Sequence, residues 1–422
     1  MDRTSCPSIR PLAFFKAPEF ETIQQKNGLT LNLIPYEDDL VQLYFILPIG
    51  KLHQTKPLQA YITNIMLLEG TQKKNAEQIA FELDKLGSSV QINSSLDHTT
   101  IAITTIKKNV QKVIDLLFEC LSQPSFPSRE FQVAILRERQ EFLIKLRKPM
   151  FKARLLFPAL LFGYEHPAIK PVEEKDFQLL ELEDVTQFYQ LFPWSELQLY
   201  ATGDKSTLAS LHLNDFALLL QKKSALKSTT LHINPPTEKK KIDYVPDSAQ
   251  SSVIVGKPII PLTHPDYPAF YFLSILLGGY FGSRLMKNIR ETKGYTYGIY
   301  TDIYLHKELS YWGIYSTVNK EKTDDVLNEI FHEIDRLLNK KVHKQEMEKV
   351  KNYIKGQYLT NFEHEFSTTQ HYISLMNKGV NPYTFGEFFW NEIENITSDR
   401  LLHIAQQYLQ PEEMKILVVT TS

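Results

Sequence analysis

Ser283-Arg-Leu-Met-Lys-Asn-Ile-Arg-Glu-Thr-Lys-Gly-Tyr-Thr-Tyr-Gly-Ile-Tyr300 is the stretch on which the reading of this chain turns. Leu285, Met286 and Ile289 mark one face of a helix, and Tyr295, Tyr297 and Ile299 alternate as in a strand. Lys293-Gly294 lies between them as a helix stop. The spacing predicts a helix over 284–292, then a hairpin of 294–306 and 309–318. Arg290 falls in the last helical turn and Tyr297 on the following strand, so a guanidinium fork and a phenol can project into one space.

Outward from that stretch, two halves follow one plan. The first has strands at 29–35 and 40–48, helices at 56–68 and 76–86, and a hairpin of 88–95 with 99–106. Helices at 110–121, 128–147, 151–162 and 183–191 follow, then a closing strand at 197–201. The second has a strand at 251–259, a helix at 269–277, and the helix and hairpin already described. Helices at 323–338, 344–360, 367–377 and 398–407 come next, and a last strand at 415–420. The repeat, offset by roughly 210 residues, predicts an α+β fold of two similar domains, each a largely antiparallel sheet with helices on one face. The boundaries fall at 1–221 and 244–422, joined by a linker over 222–243 that holds Pro235-Pro236 and six lysines.

At 422 residues and 43% hydrophobic, the chain can bury two cores. A net charge of −2 supplies no field for nucleic acid or an anionic membrane. The longest notable uncharged run, Tyr267 to Ser283, is 17 residues and falls short of a membrane span. Cys6 and Cys120 make no disulfide framework and suit a reducing compartment. The start of the sequence lacks a basic region followed by an apolar stretch, and the expectation is a cytoplasmic protein. Residues 1–20 read as a disordered or strap-like arm.

Leu277-Gly278-Gly279, Ser283-Arg284-Leu285, Arg290-Glu291, Lys293-Gly294 and Tyr297, in that order, resemble the second half of the pitrilysin/insulinase metallopeptidase family. The closer likeness is to its short, mitochondrial-processing-peptidase-like branch. Gly203-Asp204 after a strand also fits. The resemblance implies half of a clamshell closing around a peptide, with Arg290 and Tyr297 contacting substrate and stabilising the oxyanion.

Active members of that family carry His-x-x-Glu-His on a helix of the first half. Anchored on Gly70-Thr71, this chain holds Tyr61, Asn64 and Ile65 at the two histidines and the glutamate: Tyr61 first, Asn64 for the glutamate, Ile65 second. Zinc takes nitrogen, thiolate or carboxylate ligands. Ile65 has no lone pair, Asn64 cannot take a proton from water, and the Tyr61 phenol is a poor ligand. Glu141 stands where the resemblance places the third ligand, and one carboxylate cannot hold zinc. No intact motif occurs elsewhere. His343-x-x-Glu346 is half of one, and Glu363-His364-Glu365 with His371 reads as a solvated helix face. His53, His98, His166 and His264 read as structural.

The resemblance therefore implies a zinc-less subunit of a heterodimeric peptidase that processes short unfolded peptides. A homologous partner carrying His-x-x-Glu-His supplies zinc, and this chain has no cofactor of its own. The alternative is a non-catalytic scaffold or peptide-binding protein of the same fold, capturing extended peptides on the strand near Ser89–Ser95. A homodimer is possible in isolation. No nucleic acid or membrane partner is expected.

Overall fold

A computed structural model describes residues 11–26, 28–222, 224, 226, 231–307 and 309–421. Cys6, the first half of the expected arm and parts of the expected linker lie outside the described residues.

Eleven strands form among the described residues: β1 (Glu21–Gln24), β2 (Thr30–Pro35), β3 (Leu40–Leu47), β4 (Ser89–Ser94), β5 (Thr99–Ile106), β6 (Gln198–Gly203), β7 (Lys240–Val245), β8 (Gln250–Pro258), β9 (Thr296–Tyr304), β10 (Tyr311–Asn319) and β11 (Lys415–Thr421). They make two sheets, ordered β1-β2-β6-β3-β5-β4 and β7-β11-β8-β10-β9. With β1 set aside, the two orders correspond strand for strand. In each sheet the closing strand lies parallel to one neighbour and antiparallel to the other: β6 to β2 and β3, β11 to β7 and β8. The repeat expected from element order is thus a repeat of pairing.

The chain falls into two compact units that cut across this repeat. The larger takes Glu19–Pro258, Tyr315–Thr323 and Lys415–Ser422; the smaller takes the chain up to Pro18 with Ile259–Ile314 and Asp324–Met414. In the larger unit, β3 and β5 set Leu43 opposite Ile103 and Phe45 opposite Ile101, all four buried. Five helices of this unit matter for the site: α1 (Gln59–Met66), α2 (Ala76–Lys85), α3 (Val110–Ser122), α4 (Ser128–Leu146) and α5 (Pro149–Phe162). The buried stripe of α3, Val113, Ile114, Leu117 and Leu121, joins that core. Full burial of one such side chain contributes about 1.5–3 kcal/mol. Helix α2 starts where expected, because Asn75 and Gln78 exchange backbone and side-chain hydrogen bonds of 2.9 and 3.0 Å.

Several elements depart from the sequence reading. Lys240 to Asp243, read as linker, belong to β7. This strand ends its sheet, and lysines are what an exposed edge uses against further pairing, so a basic run there is compatible with a strand. Helix Pro382–Asn395 is missing from that reading although its signal is present: Asn381 caps it, accepting from the Tyr383 N–H at 2.9 Å, and Pro382 takes its first position. The expected helix over 284–292 is a π-helix, Met286–Thr292, and the one over 269–277 continues past Ser274 as a second π stretch, Ile275–Gly279. A 3.6-residue period carries no sign of the wider turn. Residues 11–18 form a strap on the smaller unit, with Phe14 packed 6.2 Å from the Tyr358 ring and 5.9 Å from Trp390.

Cys120 is completely buried, and burial pushes its thiol up to about 12. The thiolate is the reactive form. In a Cys6→Ser background, Cys120 should resist a thiol reagent at pH 8 until denaturant unfolds the chain. Rapid labelling of the native protein would contradict this burial.

Candidate functional site

The residues at the zinc-site positions lie on α1 in the larger unit, and each is occupied in a way that excludes a metal. The Tyr61 hydroxyl donates to Glu138 on α4 at 2.6 Å. Burial and the Glu138 carboxylate push the phenol's pKa upward, so it stays protonated and donates. The Asn64 amide donates to the Ser94 hydroxyl on β4 at 2.7 Å, and Ser94 in turn meets Thr99, which donates to the Ile49 carbonyl. The Asn64 side-chain oxygen is buried and has no partner among the described residues. Ile65 packs against the core. Among the described residues no group of three His, Cys, Asp or Glu side chains could hold a metal ion. The family's zinc does not fit here.

Glu141 turns to Lys145 instead, accepting at 2.9 Å one turn along its own helix. It is 51% exposed, and the Lys145 hydrogen bond holds its carboxyl below the usual range. The carboxylate that reaches Tyr61 is Glu138, which the sequence spacing passed over. Glu138 also accepts from Arg137 at 3.0 Å.

The Arg290 and Tyr297 positions lie in the smaller unit. Just past the end of the π-helix, Lys293 donates its backbone N–H to the Asn288 carbonyl at 3.1 Å and Tyr295 donates its own to that of Ile289 at 3.0 Å, which closes the helix. Gly294 then turns the chain at φ +67, a conformation that favours glycine, and β9 begins. Gly278 serves packing: a Cβ there would meet the Thr301 backbone nitrogen on β9 at 2.8 Å.

A polar network fastens the π-helix to the helices Thr323–Asn339 and Lys344–Thr360. The Asn288 amide donates to Glu329 and Glu333, each at 2.9 Å. Lys293 pairs with Glu329. Arg284 holds Glu346 through two bonds of 2.9 and 2.8 Å.

Arg290 stands outside this network. Its guanidinium carbon sits 4.7 Å over the Phe281 ring and forms no ion pair with a described carboxylate. Tyr297 is 89% exposed, with no hydrogen bond from its hydroxyl among the described residues. Two strong donors are therefore presented on adjoining elements with their hydrogen-bonding capacity unspent.

The histidines do local work. His53, His166 and His264 accept backbone N–H groups, each at 3.1 Å, and His98 pairs with Ser95 and Asp97 at 2.7 Å. His343 and His364 cap helices by accepting at 3.3 Å, and Glu346, the other half of the incomplete motif, is engaged by Arg284. His371 is not on a solvated face: it lies against the Phe362 and Tyr358 rings.

The Arg284–Glu346 pair gives a pH test. Burial alone raises the Glu346 carboxyl, but the Arg284 hydrogen bonds and charge outweigh it and hold it below the usual range. A carboxyl depressed in the folded state stabilises above its unfolded pKa of about 4.3 and loses that contribution as pH falls through the folded value. A double-mutant cycle of Arg284→Ala and Glu346→Ala should show a coupling at neutral pH that shrinks between about pH 5 and about pH 3. A coupling that stayed constant over that window would count against the pair.

Comparison with known proteins points in one direction. The family profile "Peptidase M16 inactive domain" matches residues 180–354, and "Insulinase (Peptidase family M16)" matches 46–156. The "Non-peptidase homolog YmxG" of Helicobacter pylori is 23% identical over 364 residues, covering 84% of this chain and 82% of that protein. An "Uncharacterized zinc protease" of Rickettsia felis is 22% identical over 411 residues, covering 92% and 94%. Among solved structures, a peptidase M16 inactive domain from Pseudomonas fluorescens superposes with a TM-score of 0.84 at 20% identity, over 96% of this chain and 98% of that one.

Proposed function

Because the chain belongs to the insulinase (peptidase M16) family and lacks the residues that hold its zinc, we propose that it is the zinc-less subunit of a two-chain metallopeptidase acting on short unfolded peptides. The observation that carries this reading is the pair of unspent donors: Arg290 stacked on Phe281, and Tyr297 standing in solvent. A scaffold has no chemical need of either. In this reading Arg290 forks onto a substrate carbonyl, and Tyr297 donates to the oxygen that gains charge. A homologous partner with an intact His-x-x-Glu-His brings the zinc, and this chain contributes binding and orientation.

A non-catalytic peptide-binding role is the second reading. One relative carries the name non-peptidase homolog, and among the described strands β4 ends its sheet, an edge on which an extended peptide can add. A count of two cysteines, too few for a disulfide framework, supports a cytoplasmic setting. No helix among the described residues is long and apolar enough to cross a membrane.

A tagged pull-down from native lysate, with mass spectrometry of what co-elutes stoichiometrically, tests the proposal. A similar-sized relative with His-x-x-Glu-His is expected, and the mixture should cleave peptides that neither chain cleaves alone. The purified chain should carry zinc well below one per molecule by elemental analysis. Unit zinc occupancy or unaided peptidase activity would overturn the assignment. Recovery of this chain alone would favour the scaffold.

A further inference from the structure

The smaller unit carries a second feature, a half-open pocket of about 310 Å³ walled by the helices Tyr267–Ser274, Lys344–Thr360, Glu365–Asn377 and Pro382–Asn395. Its lining includes neither Arg290 nor Tyr297. Aromatic rings form much of the wall. Tyr267 and Tyr271 lie 6.1 Å apart, Tyr271 meets Phe389 edge-on at 5.6 Å, and Tyr358 stacks on Phe389 at 6.1 Å. His371 stands edge-on to Tyr358 at 6.3 Å.

The polar atoms of that wall are short of partners. Tyr267 is 5% exposed and Tyr358 is 8% exposed, yet neither hydroxyl is hydrogen-bonded to a described residue. The same holds for the Tyr271 hydroxyl and both His371 ring nitrogens. None of these atoms is among the buried, unpartnered side-chain atoms of the described residues, so they open onto the pocket and its solvent. All four of these side chains line one pocket, so a ligand entering it can take the place of that water as their common partner.

The chemistry of the wall narrows the ligand. Burial, with Lys378 beside it, holds His371 down at about 4, so the imidazole is neutral and offers one N–H and one lone pair. Lys378 is fixed at the wall by bonds to the Ser374 carbonyl and hydroxyl at 3.3 and 2.5 Å. Among the described residues, no aspartate or glutamate lines the pocket. Aromatic cages that take cations gain from nearby negative charge, and here the fixed charge is positive. Three phenol O–H groups and an ammonium ask for an acceptor-rich, negatively charged group. The volume lies at the low end of the roughly 300–1,000 Å³ of ligand pockets, enough for one ring rather than a lipid chain.

We infer that this cavity is a binding site for a small aromatic carboxylate, its ring against the tyrosine and phenylalanine faces and its carboxylate toward the phenol hydroxyls and Lys378. The site is independent of Arg290 and Tyr297 and stands whether or not the chain serves a peptidase.

Titration of the full chain with 3-phenylpropionate, followed by calorimetry, tests the inference. One saturable site is expected, with a Kd of about a millimolar or below. Tyr267→Phe, which removes one hydroxyl and keeps the ring, should weaken binding about tenfold or more. Leu375→Trp, which fills the cavity, should abolish it; if that variant fails to fold, Tyr267→Phe and His371→Phe still decide the matter. The alcohol 3-phenylpropanol and the amine phenethylamine should bind more weakly than the acid. No saturable binding, equal binding of alcohol or amine, or indifference to Tyr267→Phe would each overturn the assignment.

Discussion

Tyr297→Phe is expected to lower peptide turnover by the reconstituted two-chain enzyme about 100- to 1,000-fold, the usual loss when one oxyanion donor is removed. The substitution removes a single oxygen from a side chain that is almost wholly in solvent and touches no described hydrogen-bond partner. Stability should therefore move by less than about 0.5 kcal/mol, as for other surface changes. Zinc on the partner should be unaffected. The loss should fall on kcat with little change in KM, because the hydroxyl would act on charge that exists only in the transition state. Arg290→Lys is the companion variant. It keeps the charge but gives up the planar fork and the stack on Phe281, and should also be impaired. Wild-type turnover by Tyr297→Phe would sink the catalytic role and favour the scaffold reading.

The second large effect is expected at Asn288. Its amide is shared between Glu329 and Glu333, and Glu333 is 1% exposed. Both Glu333 oxygens also accept from Arg336 at 2.9 Å. Asn288→Ala leaves a buried carboxylate short of one donor. A hydrogen bond to a charged group contributes about 1.5–3 kcal/mol. For a domain of this size that lowers Tm by roughly 3–12 °C. Asn288→Asp should do worse, since it sets a third carboxylate beside the two. Asn288 lies two residues before Arg290 in the same π-helix, so amides over 288–295 should also exchange faster with deuterium. An unchanged melting curve would mean that Ile289 and its packing hold the π-helix without the network.

Much of the candidate site is legible in the residues themselves. Ile65 has no lone pair in any fold, so the loss of zinc chemistry is a property of residue type and position. The pairing of Arg290 and Tyr297 across Lys293-Gly294 is equally local, since a helix stop and the alternation after it are written in adjacent residues. The order of elements betrays the repeat for the same reason. Glu138 is different. It and Glu141 stand three residues apart on α4, and nothing in their spacing says which turns to Tyr61 and which to Lys145. That choice follows from how α1 lies against α4. The Ser94 hydroxyl opposite Asn64 depends likewise on where β4 comes to rest.

Residue order is enough for the family, the order and type of most elements, the absence of zinc ligands and the two donors left in place, because periodicity, turn residues and side-chain chemistry act over a few neighbouring positions. It takes the packed molecule to make the Arg290 helix a π-helix held by Asn288, to pair Lys240–Val245 with β11, and to bring Tyr267, Tyr271, Tyr358 and His371 onto one cavity. These depend on angles and distances between elements far apart in the chain. Such partners are chosen by the fit of packed surfaces, and a local pattern carries no record of that fit.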